Sequence, residues 1–179
     1  MSSSFDLPDV DRFTAGTEGP PGGRVFYLQA AAGAQVVTLR LEKAQVAALA
    51  GYLAELLADL PTPSPEEIPA PDELVEPVVA EWVVGQLGVA FDESRDRMVI
   101  RADELAVDDD DGAGGAGPEL DVLGGGGRAQ FSLSRPQVAG FVVQAASLVA
   151  AGRPPCPLCR RPLDPEGHMC IKTNGHKPR

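Results

Sequence analysis

The first third of the chain contains short β-type runs separated by turn residues. Apolar and β-branched residues concentrate at 24–29 and again at 36–41, and Gly33 lies between the two runs. Two such runs around a short Gly-containing break are typical of an antiparallel hairpin. A weaker β-type run at 13–17 precedes them. The pattern therefore predicts three successive strands.

After the third run, the hydrophobic period changes to that of a helix. Apolar residues recur on one helical face at Val46, Leu49, Ala50, Leu53, Leu56, Leu57 and Leu60. Pro61 and Pro63 end this helix. The Pro-rich, acidic segment that follows is expected to be a linker or a short helical turn around 72–75.

A second set of strands and a helix follows the linker. Its runs at 82–88 and 97–100 resemble strand runs of the first set, and the best internal match comes at an offset of 92 residues, where 131–141 matches 39–49. Ser134 is a good N-cap for the second helix. We therefore predict an α+β body made of duplicated βββα units, with two antiparallel three-stranded sheets and one helix each.

These patterns divide the chain into a duplicated body, residues 1–151, and a tail, residues 152–179. Within the body, the first repeat spans about 12–60, the linker 61–80 and the second repeat 81–151. The second repeat carries an insertion at 106–127, in which four consecutive Asp residues precede a Gly-rich run. Their spacing matches no Ca²⁺-binding loop. The insertion is therefore predicted to be a solvated, flexible loop.

Composition and charge narrow the classes of function. Of the 179 residues, 44% are hydrophobic, which is enough to form a buried core. The net charge of −11 is uneven, because the tail carries a formal +4 and residues 1–151 carry −15. An acidic body repels phosphate backbones, so nucleic acid is not expected to bind it. The tail could contact nucleic acid or an acidic partner, or it could rest on the acidic body of its own chain.

The chain also shows no membrane or export signal. Its start lacks the basic and apolar regions of a signal peptide. The longest nearly apolar run, 139–151, is too short to span a bilayer. Cysteines spaced as metal ligands, without an export signal, suit a reducing compartment. The predicted localisation is therefore cytoplasmic, with no membrane span.

All the cysteines and histidines lie in the tail. Cys156 and Cys159 are followed by His168 and Cys170, which gives the spacing C-x2-C-x8-H-x-C. Thiolates and imidazoles at such spacing suit a tetrahedral Zn²⁺ site, and four protein ligands leave no open position for water. The tail is therefore predicted to bind a structural Zn²⁺. His176 is a fifth candidate ligand, ranked behind His168 because it lies almost at the chain end.

Matched polar residues at the two predicted helix starts form a second candidate site. Lys43 and Gln45 correspond to Arg135 and Gln137 at the offset of 92. Free N–H groups and a basic side chain in the first turn of a helix favour an anion. If the two starts faced one another across a cleft, they could bind a phosphate or carboxylate. The alternative is that they are ordinary surface residues at helix ends.

Several runs of the chain match a known sequence pattern: 13–17, 26–29, 41–46, and the tail from Cys156 to Cys170 followed by Asn174 and Gly175. In these runs the chain resembles an actinobacterial family of proteins of unknown function, over nearly its whole length. The resemblance implies a cytoplasmic protein with a C-terminal zinc-ribbon-like element. It favours His168 over His176 as a ligand. It implies no activity.

The favoured function is a non-catalytic binding or adaptor protein, with another protein as partner, a structural zinc site and no assigned catalytic residue. The first alternative is an enzyme that acts on a phosphorylated or carboxylated small molecule held by Lys43 and Arg135. The second alternative is nucleic-acid contact through the basic tail. An open pocket between the helix starts would favour the enzyme over the adaptor.

Overall fold

The computed structural model describes residues 2–20, 22–106, 126–151, 156–160 and 172. In this part of the chain, seven strands form one mixed sheet and two α-helices pack against each other. The α+β class is thereby confirmed. The elements are β1 (Phe5–Leu7), β2 (Arg12–Glu18), β3 (Val25–Ala32), β4 (Gln35–Leu41), α1 (Lys43–Ala58), β5 (Trp82–Asp92), β6 (Arg97–Glu104), β7 (Arg128–Leu133) and α2 (Arg135–Ala150).

The two sheets predicted from sequence are one sheet in the structure. Its strand order is β1-β7-β6-β5-β4-β3-β2. The two predicted three-stranded parts meet where β4 and β5 pair in parallel, with Leu39 opposite Trp82. The prediction of separate sheets was wrong because it assigned no partner to these edge strands, whose unpaired backbone groups favour pairing with another strand. The short strand β1, which the sequence pattern did not indicate, pairs in parallel with β7.

The sheet curls strongly, so that its two ends come together. Strands β1 and β2 lie at opposite ends of the strand order, yet β1 ends at Leu7 and β2 begins at Arg12. A flat sheet of this size would be about 29 Å wide, whereas the connection can span only about 17 Å. Across the interior, the rings of Phe13 in β2 and Phe131 in β7 lie 5.7 Å apart.

Each helix contributes one apolar face to this interior. Helix α1 buries the first four positions of the predicted stripe, and α2 buries Val138, Phe141 and Ala145. The ring of Phe141 lies 5.0 Å from that of Phe13. The later stripe residues of α1 are partly buried against the same core. Neither helix, at 16 residues, is long and apolar enough to cross a membrane, and the same holds for every helix of the described chain.

The helices run antiparallel. Arg135, at the start of α2, donates from Nη1 to the carbonyl of Pro61, just beyond the end of α1. At the opposite end, Arg24 donates to the carbonyl of Ala151, just beyond α2. Since Arg24 directly precedes β3, and Phe26 of β3 pairs with Leu41 just before α1, the end of α2 lies near the start of α1.

The segment that joins α1 to β5, residues 61–81, crosses the outer face of the sheet, and we call it the strap. Beneath it, Thr14, Gln29 and Thr38 form a row across β2, β3 and β4 and are 0%, 2% and 4% exposed. The carbonyl of Asp72 accepts hydrogen bonds from Thr14 and Gln144. The side-chain amide of Gln29 donates to the carbonyl of Val75 and accepts a hydrogen bond from the N–H of Val75.

The strap has its only described helical turn at Pro65–Glu67, not around 72–75. The turn considered at 72–75 is absent because the carbonyl of Asp72 and both backbone groups of Val75 form hydrogen bonds with side chains of the sheet and of α2. Those bonds hold the segment extended, since a helical turn would use the same groups internally.

Strand β5 contains a bulge between Val84 and Gln86. Before it, Trp82 and Val84 are buried; after it, the partly buried side chains are Leu87, Val89 and Phe91. An extra residue in one strand reverses the side-chain alternation beyond it. The bulge therefore keeps apolar side chains directed to the core on both sides of the irregularity.

Some of the predictions concern residues that the structure does not describe. Most of the insertion, residues 107–125, and most of the tail, including His168, Cys170 and His176, are not among them.

Candidate functional site

The two helix starts lie at opposite ends of the helix pair. Because Arg135 contacts the carbonyl of Pro61, the start of α2 is beside the end of α1. Lys43 lies at the other end of a 16-residue helix, a distance of about 24 Å at 1.5 Å per residue. Lys43 and Arg135 therefore do not face each other, and the shared anion cleft predicted from sequence is not formed.

Arg135 has a structural role. Its guanidinium forms an ion pair with Asp96, at 2.9 Å, in the turn between β5 and β6. Together with the bond to Pro61, this pair links α2 to the turn and to the beginning of the strap. Lys43 is exposed at the start of α1.

The two glutamines share a different role. Gln45 Oε1 accepts the backbone N–H of Glu42, and its Nε2 donates to the carbonyl of Val84 at 3.0 Å. Gln137 Oε1 accepts the N–H of Ser134, and its Nε2 donates to the carbonyl of Val10 at 2.6 Å. Each side chain caps its helix and ties it to the half of the sheet that the helix does not follow in sequence, through Val84 for Gln45 and through Val10, just before β2, for Gln137. Their polar groups are thus engaged in the fold.

Cys156 and Cys159 lie in one turn. The N–H of Arg160 donates to the carbonyl of Cys156 at 2.8 Å and closes this turn. Arg160 has a φ of +61°, which allows the chain to reverse direction there. Cys156 is 1% exposed.

This turn brings together the first two predicted zinc ligands. Two cysteines separated by two residues in a tight turn are a common half of a tetrahedral zinc site. The other two predicted ligands, His168 and Cys170, lie outside the described residues. Within the described residues, no three His, Cys, Asp or Glu side chains form a group that could hold a metal ion.

A groove of about 640 Å³ lies between α1 and β5, and we call it groove B. The β5 wall runs from Gly85 to Val89, beyond the point where β4 stops pairing with β5. No described segment covers this part of the groove, and Tyr52 is 50% exposed there. The helix wall is formed by Gln45, Ala48, Leu49 and Tyr52.

A similar cleft between α2 and β2, groove A, is filled. Only about 20 Å³ remains there, because strap residues Pro69, Ala70 and Asp72 line it. Pro69 packs so closely on α2 that a Cβ at Gly140 would lie 3.1 Å from the proline ring. Asp72 also lies 3.0 Å from Arg12 Nε, an ion pair that lacks hydrogen-bond alignment.

Two acidic residues of β6 pair with β5 at and next to the strand wall of groove B. In the register of the sheet, Asp103 lies opposite Gln86, and Glu104 opposite Val84. Burial raises the pKa of Asp103, but hydrogen bonds from Arg128 and Arg101 outweigh it and hold this pKa below the ordinary value. The backbone N–H of Gly127 is the main cause of a lowered pKa at Glu104. Both carboxylates are therefore ionised at neutral pH.

Fold and site together define a small α+β protein with a curled mixed sheet, two antiparallel helices and a C-terminal cysteine turn. The chain belongs to the family described as "Protein of unknown function (DUF3090)", whose model matches residues 5–170. The matched region includes all four predicted zinc ligands and ends before His176. A search of the curated proteins finds no match. A search of the solved structures finds none either.

Sequence reasoning missed the grooves. In the sequence, their helix residues appear only as parts of apolar stripes. No local pattern indicates that β5 extends beyond the end of its pairing with β4. One signal was available: the internal match at an offset of 92 relates Gln45, Ala48, Leu49 and Tyr52 to Gln137, Gly140, Phe141 and Gln144. These are the helix residues that line grooves B and A.

Proposed function

We propose that this protein is a non-catalytic binding or adaptor protein, with a duplicated body and a tail that a structural Zn²⁺ organises into a contact surface for another protein. The observation that carries the proposal is the turn that holds Cys156 and Cys159 together. We assign His168 and Cys170 as the other two ligands, and we assign the protein to the cytoplasm, where thiolates stay reduced.

The chemistry of the turn supports a structural metal. Its two cysteines lie in one turn, and Cys156 is 1% exposed, so a metal there would be shielded from solvent exchange on that side. Four protein ligands saturate a tetrahedral Zn²⁺ and leave no position for a substrate. Metal binding to such short segments contributes about 10–16 kcal/mol at neutral pH, enough to order a peptide that has no core of its own.

The strand registers support the duplication. In one half, Leu39 pairs with Leu28, and Leu28 pairs with Ala15. In the other half, Phe131, which is 92 positions after Leu39, pairs with Ile100, and Ile100 pairs with Val89. The same chain of neighbours thus recurs across β2-β3-β4 and β5-β6-β7, although the loops between the strands differ in length.

The contacts between the halves repeat in the same way. Leu39 lies beside Trp82 in the parallel pair β4–β5, and Phe131 lies beside Leu7 in the parallel pair β7–β1. Gln45 reaches Val84 as Gln137 reaches Val10. Each helix is therefore bound to the half that it does not follow in sequence, as expected of two related units around an approximate twofold axis.

Charge supports a protein partner for the tail. The tail carries +4 and the body −15, so the molecule presents a small basic region beside a large acidic one. An acidic protein surface would be attracted to the tail, and binding would weaken as salt increases. Nucleic acid contact by the tail alone would show a steeper salt dependence, because condensed counterions are released.

Metal content tests the zinc site. We expect about one Zn²⁺ per chain by elemental mass spectrometry of the purified protein, and loss of most of it in Cys156→Ser and in His168→Ala. The matched control is His176→Ala, which removes the other histidine and should retain the zinc. Full zinc in both ligand variants, or metal-free wild-type protein with an ordered tail, would refute the assignment.

A further inference from the structure

We propose that the C-terminal segment, residues 161–179, packs as a second strap through groove B and over the outer face of β5, β6 and β7. This inference rests on the duplication in the proposed function but does not require the zinc site. The template is the first strap, which fills groove A and covers β2, β3 and β4.

The two grooves have the same walls. Each helix residue of groove B stands 92 positions before its counterpart in groove A. On the strand side, the registers relate Arg12 and Phe13 of groove A to Gln86 and Leu87 of groove B. One groove is filled by a Pro-containing extended segment of the chain, whereas the other is open over about 640 Å³ among the described residues.

The outer faces of the two halves differ in the same way. The row Thr14, Gln29 and Thr38 is buried under the first strap. In the other half, the corresponding cross-strand row is Gly88, Arg101 and Gln130, and all three residues are exposed. A Cβ added at Gly88 would have no neighbour within 4 Å. This half of the sheet therefore has the surface for a strap, and no described segment covers it.

The path of the chain brings the tail to groove B. The first strap leaves the end of α1 beside the start of α2, and α2 forms one wall of groove A. The tail leaves the end of α2 beside Arg24, near the start of α1, and α1 forms one wall of groove B. The described part of the tail ends its first turn at Arg160, with Cys156 already buried.

The tail also resembles the first strap in sequence. The strap turn begins with Ser64 and Pro65, and 92 positions later the cysteine turn begins with Cys156 and Pro157. At the same offset, Asp164 corresponds to Asp72, the residue whose carbonyl and carboxylate hold the strap in groove A.

The length of the tail is compatible with this path. Nineteen residues follow Arg160. If the zinc site of the proposed function returns Cys170 to the cysteine turn, the nine residues after it still reach about 30 Å when extended. The helix wall of groove B, from Gln45 to Tyr52, is only about 10 Å long.

Amide hydrogen exchange of the full-length protein tests this assignment. The variant Ala48→Arg places a long charged side chain on an exposed position inside groove B. We expect peptides covering 161–179, and those covering 85–90, to exchange about tenfold faster in this variant than in wild type, because the segment is displaced. A second variant, Gly88→Phe, fills the groove from the strand side and should have the same effect.

The matched control is Ala54→Arg, which makes the same substitution at an exposed position of α1 that does not line the groove. It should leave the exchange of both regions unchanged. Equal exchange of 161–179 in wild type and both groove variants would overturn the proposal. If residues 107–125 respond instead, the insertion occupies the groove. If the groove variants abolish a dimer without changing the tail, the occupant is a second copy. Either result also overturns our assignment.

Zinc content measured on the same samples separates this inference from the proposed function. Groove variants that free the tail and keep their zinc support both proposals. Metal-free protein whose tail still responds to Ala48→Arg would refute the zinc site and leave the second strap standing. Zinc-loaded protein whose tail does not respond to the groove variants would refute the second strap and leave the zinc site standing.

Discussion

At the residue scale, small side chains permit the close approach of the strap to the sheet. Gly16 lies in β2 directly beneath Leu74, and a Cβ added there would collide with three carbon atoms of the Leu74 side chain. The backbone of Gly16 does not have a positive φ. The glycine is therefore needed for space and not for backbone conformation.

We expect Gly16→Ala to lower the free energy of unfolding by about 1–2 kcal/mol, because Leu74 must leave its site on the strand. Urea denaturation measures this change. In a Leu74→Ala background the collision is gone, and Gly16→Ala should be neutral or slightly stabilising, since alanine is less flexible than glycine in the unfolded chain. An equal loss in both backgrounds would show that the glycine has another role.

At the scale of elements, the strap is held by side chains that replace backbone pairing. Gln29 is 2% exposed and bonds through its amide to Thr38 and to both backbone groups of Val75. Thr14 and Gln144 hold the strap in a similar way at Asp72. A segment without a strand partner is thus fixed in place by buried polar groups.

The substitution Gln29→Leu should lower the free energy of unfolding by about 1–3 kcal/mol, because the part-buried backbone groups of Val75 and the buried hydroxyl of Thr38 lose their partner. Amide exchange of residues 72–76 should accelerate by a larger factor than that of β3. Gln35→Leu, at an exposed position of β4, is the matched control and should change stability by less than about 0.5 kcal/mol. Loss of stability without faster strap exchange would contradict this role.

At the scale of the whole molecule, the two halves form one folding unit. They share a sheet through the β4–β5 pair, and each helix is tied to the opposite half by a glutamine. The only tryptophan, Trp82, lies in that pair and is 5% exposed, with its Nε1 donating to the carbonyl of Ser3. Trp82 therefore reports on the junction between the halves.

We expect a single cooperative unfolding transition in urea, with coincident midpoints for Trp82 fluorescence and far-UV circular dichroism. Destabilising either half, for example by Gly16→Ala, should shift both midpoints together. Two separated transitions would instead mean that the halves unfold independently and that the β4–β5 pair contributes little.

Much of the secondary structure followed from local patterns. The alternation at 24–29 and 36–41 and the stripe that starts at Val46 predicted two strands and a helix, because side-chain period reports the local geometry directly. Ser134 marked the start of α2 for the same reason. Strand β1 was missed because its three residues are too few to show a period, and it exists through its pairing with β7.

The candidate sites were predictable only in part. The spacing of Cys156 and Cys159 indicated the turn that the structure contains, since both residues are close in sequence. Lys43 and Arg135 were paired by sequence similarity, which does not specify direction in space. The antiparallel packing of α1 and α2 separates them, and groove B exists only because of long-range packing.

The sequence by itself determined most of the elements, their order, the repeated pattern and the clustering of cysteine and histidine, because each of these is a property of neighbouring residues or of a countable offset. Only the tertiary structure decided that the halves join in one curled sheet, that the linker fills one groove and that the related groove is open. Those features depend on which distant edges and faces meet, and backbone hydrogen bonding and burial settle that choice only once the whole chain is folded.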